Sequence, residues 1–216
     1  MPTARHATLA ALVALGASGD VCAQAAARGG LFAAPPSLDR HQPEDGADPD
    51  GADREVPELA AYGQRDSQWL TAGVRYADDF KPAVDVSLFL QYSVFVEPRV
   101  ELGGELAGWV AFQDDDTVAG SFSLLGRYHF LQRERWSLFA EGSLGVFYAE
   151  DTVPDAGTKF NLLPRLGFGG TYELGPGTRL IGGVHWHHIS NARTSGADRN
   201  PARDAIGLFV AVTWAI

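Results

Sequence analysis

The sequence predicts an all-β fold, an eight-stranded antiparallel transmembrane β-barrel with a packed polar interior. Three observations predict it: segments that alternate apolar and polar residues with a period of two, an even number of such segments, and charge confined to one of the two faces.

The strands are expected at 67–77, 84–96, 99–112, 118–131, 136–149, 160–174, 179–191 and 204–216. In the second, Val84, Val86, Leu88, Leu90, Tyr92, Val94 and Val96 share one face, and Asp85, Ser87, Gln91 and Ser93 share the other. The third sets Leu102, Leu106 and Val110 against Glu101, Glu105 and Trp109, and the fourth sets Phe122, Leu124, Tyr128 and Phe130 against Ser121, Ser123, Arg127 and His129. The last alternates Ile206, Leu208, Val210, Val212 and Trp214 with Gly207, Ala211 and Thr213. A soluble barrel would solvate its outer face with Lys, Glu and Asp; here Arg75, Glu101, Glu105, Arg127, Glu141, Arg165 and Glu173 all fall on the polar face. Eight strands leave an interior just wide enough for side chains, so these groups are expected to pair across a filled lumen.

Connection lengths orient the barrel, because outer-membrane barrels have short periplasmic turns and longer external loops. Residues 97–99, 132–135 and 175–177 read as tight turns, and 113–117, 151–159 and 192–203 as longer polar loops that face outward.

A chain of 216 residues suits one such domain preceded by processing segments. Residues 1–25 read as a secretory signal peptide: Arg5 and His6 form a basic start, 7–17 is mostly apolar, and Ala23-Gln24-Ala25 supplies small residues for cleavage after Ala25. The single cysteine, Cys22, lies within that signal, so the mature chain is expected to hold no disulfide. Residues 26–66, rich in Ala, Pro, Gly and Asp, read as a disordered acidic periplasmic leader. Export and a multi-pass barrel together place the protein in an outer membrane. The net charge of −10 argues against a nucleic-acid partner, which requires a basic surface.

Strand seven carries the chemistry. If Leu180, Val184 and Trp186 face lipid, His188 and Ser190 continue that face, while His185 and His187 point inward. Polar groups turned toward hydrocarbon are costly, which makes this pair a functional candidate. Residues two apart on a strand share a side, so His188 can reach Ser190 as base to nucleophile. Folding the following loop about its middle sets Asp204 opposite Ser190 and diagonal to His188, making it the best third member; Asp198, nearer the loop tip, is the weaker alternative. Parity separates His188 from His185 and His187, which argues against a metal site, and the inward pair is expected to bond to lumen carboxylates such as Glu141 or Glu173. Trp186, Trp214 and Tyr148 are read as an aromatic girdle.

The run His188-Ile189-Ser190-Asn191-Ala192, then Asn200-Pro201 and a final amphipathic strand, resembles the outer-membrane lipid A 3-O-deacylases of the PagL type, over roughly 68–216. The resemblance implies an eight-stranded barrel with a serine-esterase site on its outer wall that removes the 3-linked hydroxyacyl chain of lipid A. It implies His188 as base, Ser190 as nucleophile and Asn191 in the oxyanion and substrate-binding site, with no cofactor. The chain departs from the family pattern at Arg193 and Ala202, where glycine is usual, and in having Asp as its candidate acid where Glu is usual. Lipid A or lipopolysaccharide and outer-membrane lipids are the expected partners, with a homodimer among the assemblies this reading allows. The alternatives are a non-catalytic structural or adhesion barrel that meets partners through 113–117 and 151–159, and an outer-membrane esterase acting on phospholipids.

Overall fold

A backbone that crosses hydrocarbon must satisfy its N–H and C=O groups internally, and a sheet can do so only by closing on itself. The computed structural model describes residues 61–216. The expected signal peptide, and the leader as far as residue 60, lie outside the described residues. The described residues form eight strands in chain order: β1 (Gln68–Asp78), β2 (Val84–Glu97), β3 (Val100–Phe112), β4 (Thr117–Gln132), β5 (Trp136–Val153), β6 (Thr158–Gly175), β7 (Thr178–Ile189) and β8 (Arg203–Ala215). Each pairs antiparallel with its sequence neighbour, and β1 pairs with β8 from Trp69↔Ala215 to Asp78↔Ile206, closing the barrel.

The alternation holds on every strand. Leu88, Leu106, Leu124, Leu144, Leu166 and Leu208 are exposed on the outer wall, while Arg75, Glu101, Glu105, Arg127 and Arg165 are buried in the lumen. One row of Cα partners runs Ser190, Leu162, Val146, Phe122, Leu106, Leu90, Ala72, Val212 and back to β7 at Leu180, ten residues from its start. That stagger requires strongly tilted strands, roughly 35–45° from the axis in barrels of this kind.

Connections separate into two classes by end. At one end the turns are 98–99, 133–135 and 176–177; at the other lie 79–83, 113–116, 154–157 and 190–202. The expected loop at 151–159 is shorter than its polar composition suggests. β5 and β6 pair as far as Val153↔Thr158, and the Asn161 side-chain amide donates to the Val153 and Thr158 carbonyls at 2.8 Å each. Asp151 and Lys159 conceal the strand ends because they lie in a register shift between Tyr148↔Phe160 and Val153↔Thr158, where apolar alternation has stopped.

The short-turn end is stoppered. Residues 61–66, assigned from sequence to the leader, turn back across it: Tyr62 packs edge-on against Trp69 at 4.7 Å and Phe95 at 5.0 Å, and the Asp66 N–H donates to the Phe95 carbonyl at 2.7 Å. Tyr62 is the one aromatic in this run of small and polar residues, too isolated to produce a periodic signal.

The lumen is filled with paired charge. Glu105 lies between Arg75 and Arg165, with Arg165 Nη2 at 2.7 Å. Arg127 joins Glu101 at 2.9 Å and Glu141 at 2.8 Å, and His129 Nε2 meets Glu101 at 3.2 Å. Asp85 holds Arg203 at 2.8 Å and His187 at 3.0 Å. The expectation that the inward histidines bond to lumen carboxylates thus holds for His187, through Asp85, and is corrected for His185 and for the named examples Glu141 and Glu173. Those carboxylates are taken by Arg127 and Arg179, His187 reaches across to β2, and neither ring nitrogen of His185 has a partner among the described residues. Sequence spacing cannot reveal which strands face one another across a lumen.

Breaking a buried ion pair from one side strands the other charge, which costs about 3–5 kcal/mol. Glu105→Ala leaves Arg75 and Arg165 facing each other and is expected to lower the unfolding free energy by about that amount, measured by urea titration of protein refolded in vesicles. Glu97→Ala removes an exposed partner of Arg65 and is expected to change stability by less than about 1 kcal/mol in the same titration.

Candidate functional site

The last turn of β7 puts Trp186, His188 and Ser190 on the outer wall, since side chains two apart share a face and the flanking His185, His187 and Ile189 are buried in the lumen. His188 lies directly opposite Asp204 in the β7–β8 ladder. This differs from the sequence expectation, which set Asp204 opposite Ser190. The first residues beyond Ile189 leave β8 and bridge to β6 instead: the Leu162 N–H donates to the Ser190 carbonyl at 2.7 Å, and the Ser190 N–H donates back at 3.3 Å.

The two-residue shift improves the geometry. His188 Nδ1 meets Asp204 Oδ1 at 2.9 Å, and His188 Nε2 meets Ser190 Oγ at 2.9 Å. A carboxylate on Nδ1 holds the proton there, leaving Nε2 as an acceptor for the serine hydroxyl. The carboxylate side chain is 57% exposed and the imidazole 26%, so the relay opens outward rather than into the lumen. Ser190 itself is buried at 8%, with only its outer edge accessible.

Trp186 belongs to this constellation. Its Nε1–H donates to Asp204 Oδ1 at 3.1 Å, and its ring is 5.9 Å from that of His188. Sequence reasoning left it in the aromatic girdle; the missed signal was the spacing Trp186-x-His188-x-Ser190, which repeats on one face. Asp198, the weaker candidate acid, sits in a short 3-10 turn (Ala197–Arg199) in the loop and has no contact with His188.

Asn191 is adjacent to Ser190 but buried, and its hydrogen-bonding groups are used within the loop. Its side-chain amide donates to Thr158 Oγ1 and the Arg199 carbonyl, its Oδ1 accepts from the Arg193 N–H at 2.9 Å, and its own N–H donates to Asn200 Oδ1 at 2.9 Å. No donor of Asn191 is left for a substrate oxygen. The two asparagines thus lock residues 190–200 together. The next N–H, that of Ala192, is on an exposed residue and has no acceptor among the described residues.

The chain matches the family described as lipid A 3-O-deacylase (PagL) over residues 83–213, more than half its length and including Trp186, His188, Ser190 and Asp204. Curated proteins give no significant match. Among solved structures it is similar to Neisserial surface protein A, at 13% identity and a TM-score of 0.54, covering 69% of this chain and 97% of that one. It is also similar to the N-terminal β-barrel domain of Pseudomonas aeruginosa OprF, at 14% identity and a TM-score of 0.52, covering 70% and 98%. The outer membrane enzyme PagL is 20% identical, with a TM-score of 0.49 and coverage of 68% and 99%. The first two likenesses show the barrel fold.

Ala192 and Arg193 turn the chain away from Ser190 in consecutive left-handed conformations, with φ of 52° and 62°. For residues bearing a Cβ this costs about 1–2 kcal/mol each, whereas glycine avoids the strain but adds about 0.4–1 kcal/mol of unfolded-chain entropy. Arg193→Gly is therefore expected to stabilise the protein by about 0.5–1 kcal/mol, and Arg193→Val to destabilise it, both read from urea unfolding midpoints.

Proposed function

Because the chain belongs to the lipid A 3-O-deacylase (PagL) family, we propose that it hydrolyses the 3-linked hydroxyacyl ester of lipid A with Ser190 as nucleophile, His188 as base and Asp204 as the orienting acid. Family membership makes it an outer-membrane enzyme of the lipid A deacylase type; the ester position and the roles of residues are our reading. One observation carries it: the unbroken relay Asp204–His188–Ser190, at 2.9 Å on both sides of the imidazole, on the lipid-facing wall where the strands end. Acyl esters of a membrane lipid lie at that level, between headgroup and hydrocarbon.

In this mechanism Ser190 Oγ attacks the ester carbonyl carbon while His188 Nε2 takes its proton, and the carbonyl π pair moves onto oxygen. Collapse of the tetrahedral intermediate breaks the bond to the sugar oxygen, which leaves with the proton from His188. Water then attacks the acyl-serine, His188 accepts a proton from it, and collapse releases the hydroxy fatty acid and restores Ser190. Asp204 keeps the Nδ1 proton in place and stabilises the imidazolium. The oxyanion donor is assigned to the Ala192 N–H, and Asn191 holds the loop that presents it.

Wild type and Ser190→Ala, inserted in membranes carrying 3-O-acylated lipid A, separate the readings by mass spectrometry of the lipid. Loss of one hydroxyacyl chain is expected for wild type alone, with the variant reduced by at least about 10³-fold. Intact lipid A in the presence of correctly inserted wild type would sink the proposal, and released phospholipid fatty acids would move it to a phospholipase. Asp204→Asn is expected to lower kcat by about 10²-fold or more while Asp198→Asn retains wild-type rates. Trp186→Phe removes one charge-assisted hydrogen bond to Asp204 and is expected to lower kcat roughly five- to tenfold with KM unchanged.

A further inference from the structure

The outer wall carries a second feature, centred three to four strands from Ser190. Gly108 on β3 and Gly120 on β4 are Cα partners, both face outward, and a Cβ built on either meets no atom within 4 Å. They form the floor of a groove of about 720 Å³, within the range of about 300–1,000 Å³ typical of small-molecule sites. Its sides are Leu88, Leu106, Phe122, Tyr148 and Phe160, all exposed.

This groove shares a row of the barrel wall with the candidate site. The row that forms its lower edge, Leu106↔Phe122↔Val146, continues through Leu162 directly to Ser190. Tyr148↔Phe160 forms the parallel row two residues nearer the long-loop end. From the nucleophile to the glycine pair is three to four interstrand spacings, roughly 14–19 Å along the wall. A groove on a wall that faces hydrocarbon, lined by aliphatic and aromatic side chains, is filled by saturated acyl chain. That separation would set one ester at Ser190 and another chain of the same lipid at the glycines.

We propose that the Gly108–Gly120 groove is a second acyl-chain subsite, which seats an uncleaved chain of the same multi-acylated lipid whose ester lies at Ser190. This rests on the deacylase reading above. The subsite selects for substrates with several chains, because a lipid with one chain cannot occupy both places.

Gly120→Leu starts from a Cβ position with no atom within 4 Å and adds an apolar side chain to a lipid-facing position, so the barrel is expected to fold. KM for multi-acylated lipid A is expected to rise about tenfold with kcat held, while kcat/KM for a short single-chain p-nitrophenyl ester stays within about twofold of wild type. Val210→Leu, on the outer wall of β8, is expected to change neither. Unchanged KM on lipid A, or equal losses on both substrates, overturns the subsite.

A measurement independent of turnover uses Gly120→Cys and Val210→Cys in the chain lacking residues 1–25, in phospholipid vesicles with and without lipid A. Lipid A is expected to slow labelling of position 120 by a membrane-soluble maleimide by at least about threefold, with position 210 unaffected. Equal labelling rates with and without lipid A overturn the subsite. An inactive wild type whose position 120 is still protected refutes the deacylase reading and leaves the groove as a lipid A seat.

Discussion

Every feature of this molecule depends on closure of the β1–β8 seam. In hydrocarbon an unpaired backbone edge costs several kcal/mol per group, so the sheet either closes or does not span. Closure fixes the stagger at ten residues between Ser190 and Leu180, and with it the alternation of every side chain between lumen and lipid. A one-residue slip anywhere would exchange the two faces. It would turn His188 and Ser190 toward the lumen and His187 outward, so the arrangement at the end of β7 is a consequence of register set on the far side of the barrel.

The lumen and the outer wall handle polar groups by opposite means. Inside, carboxylates and guanidiniums are paired away from water, as Glu105 is by Arg75 and Arg165; such groups rigidify the barrel and carry no reaction. Outside, polar side chains are few, and those at the end of β7 are linked only to one another, through Trp186, Asp204, His188 and Ser190. A charged carboxylate is tolerated there because Asp204 sits at the start of β8, where the strand leaves hydrocarbon.

The fold was largely legible in the sequence because hydrophobic alternation reports directly on the lipid face. Strand ends were less so: the β5–β6 ladder runs past Asp151 and Lys159, where alternation no longer signals pairing. Parity placed His188 and Ser190 together on the outer face, and Asp204 with them. The details that the sequence concealed are those of register across a long connection. Folding residues 190–203 about their middle put Asp204 opposite Ser190, whereas the chain leaves the β7–β8 ladder after Ile189 and crosses to Leu162, which puts Asp204 opposite His188. The partner of His187 and the internal bonds of Asn191 were hidden for the same reason, since both depend on segments distant in sequence.

The loop beyond Ser190 shows how a rigid site can stand on an irregular segment. Two consecutive residues with Cβ atoms are held at positive φ, and the Asn191 and Asn200 side chains supply the bonds that keep them there. That strain is local and is offset by the hydrogen bonds of the Asn191 side chain and N–H, three donated and one accepted, so it persists only because the asparagines over-determine the turn. The result is a backbone N–H at Ala192 without an acceptor among the described residues, next to a serine already bonded to His188. That open donor lies beside a hydrogen-bonded relay whose carboxylate is supplied by the neighbouring strand, and this pairing of an unused N–H with an ordered Ser–His–Asp chain is what supports the proposed acyl transfer.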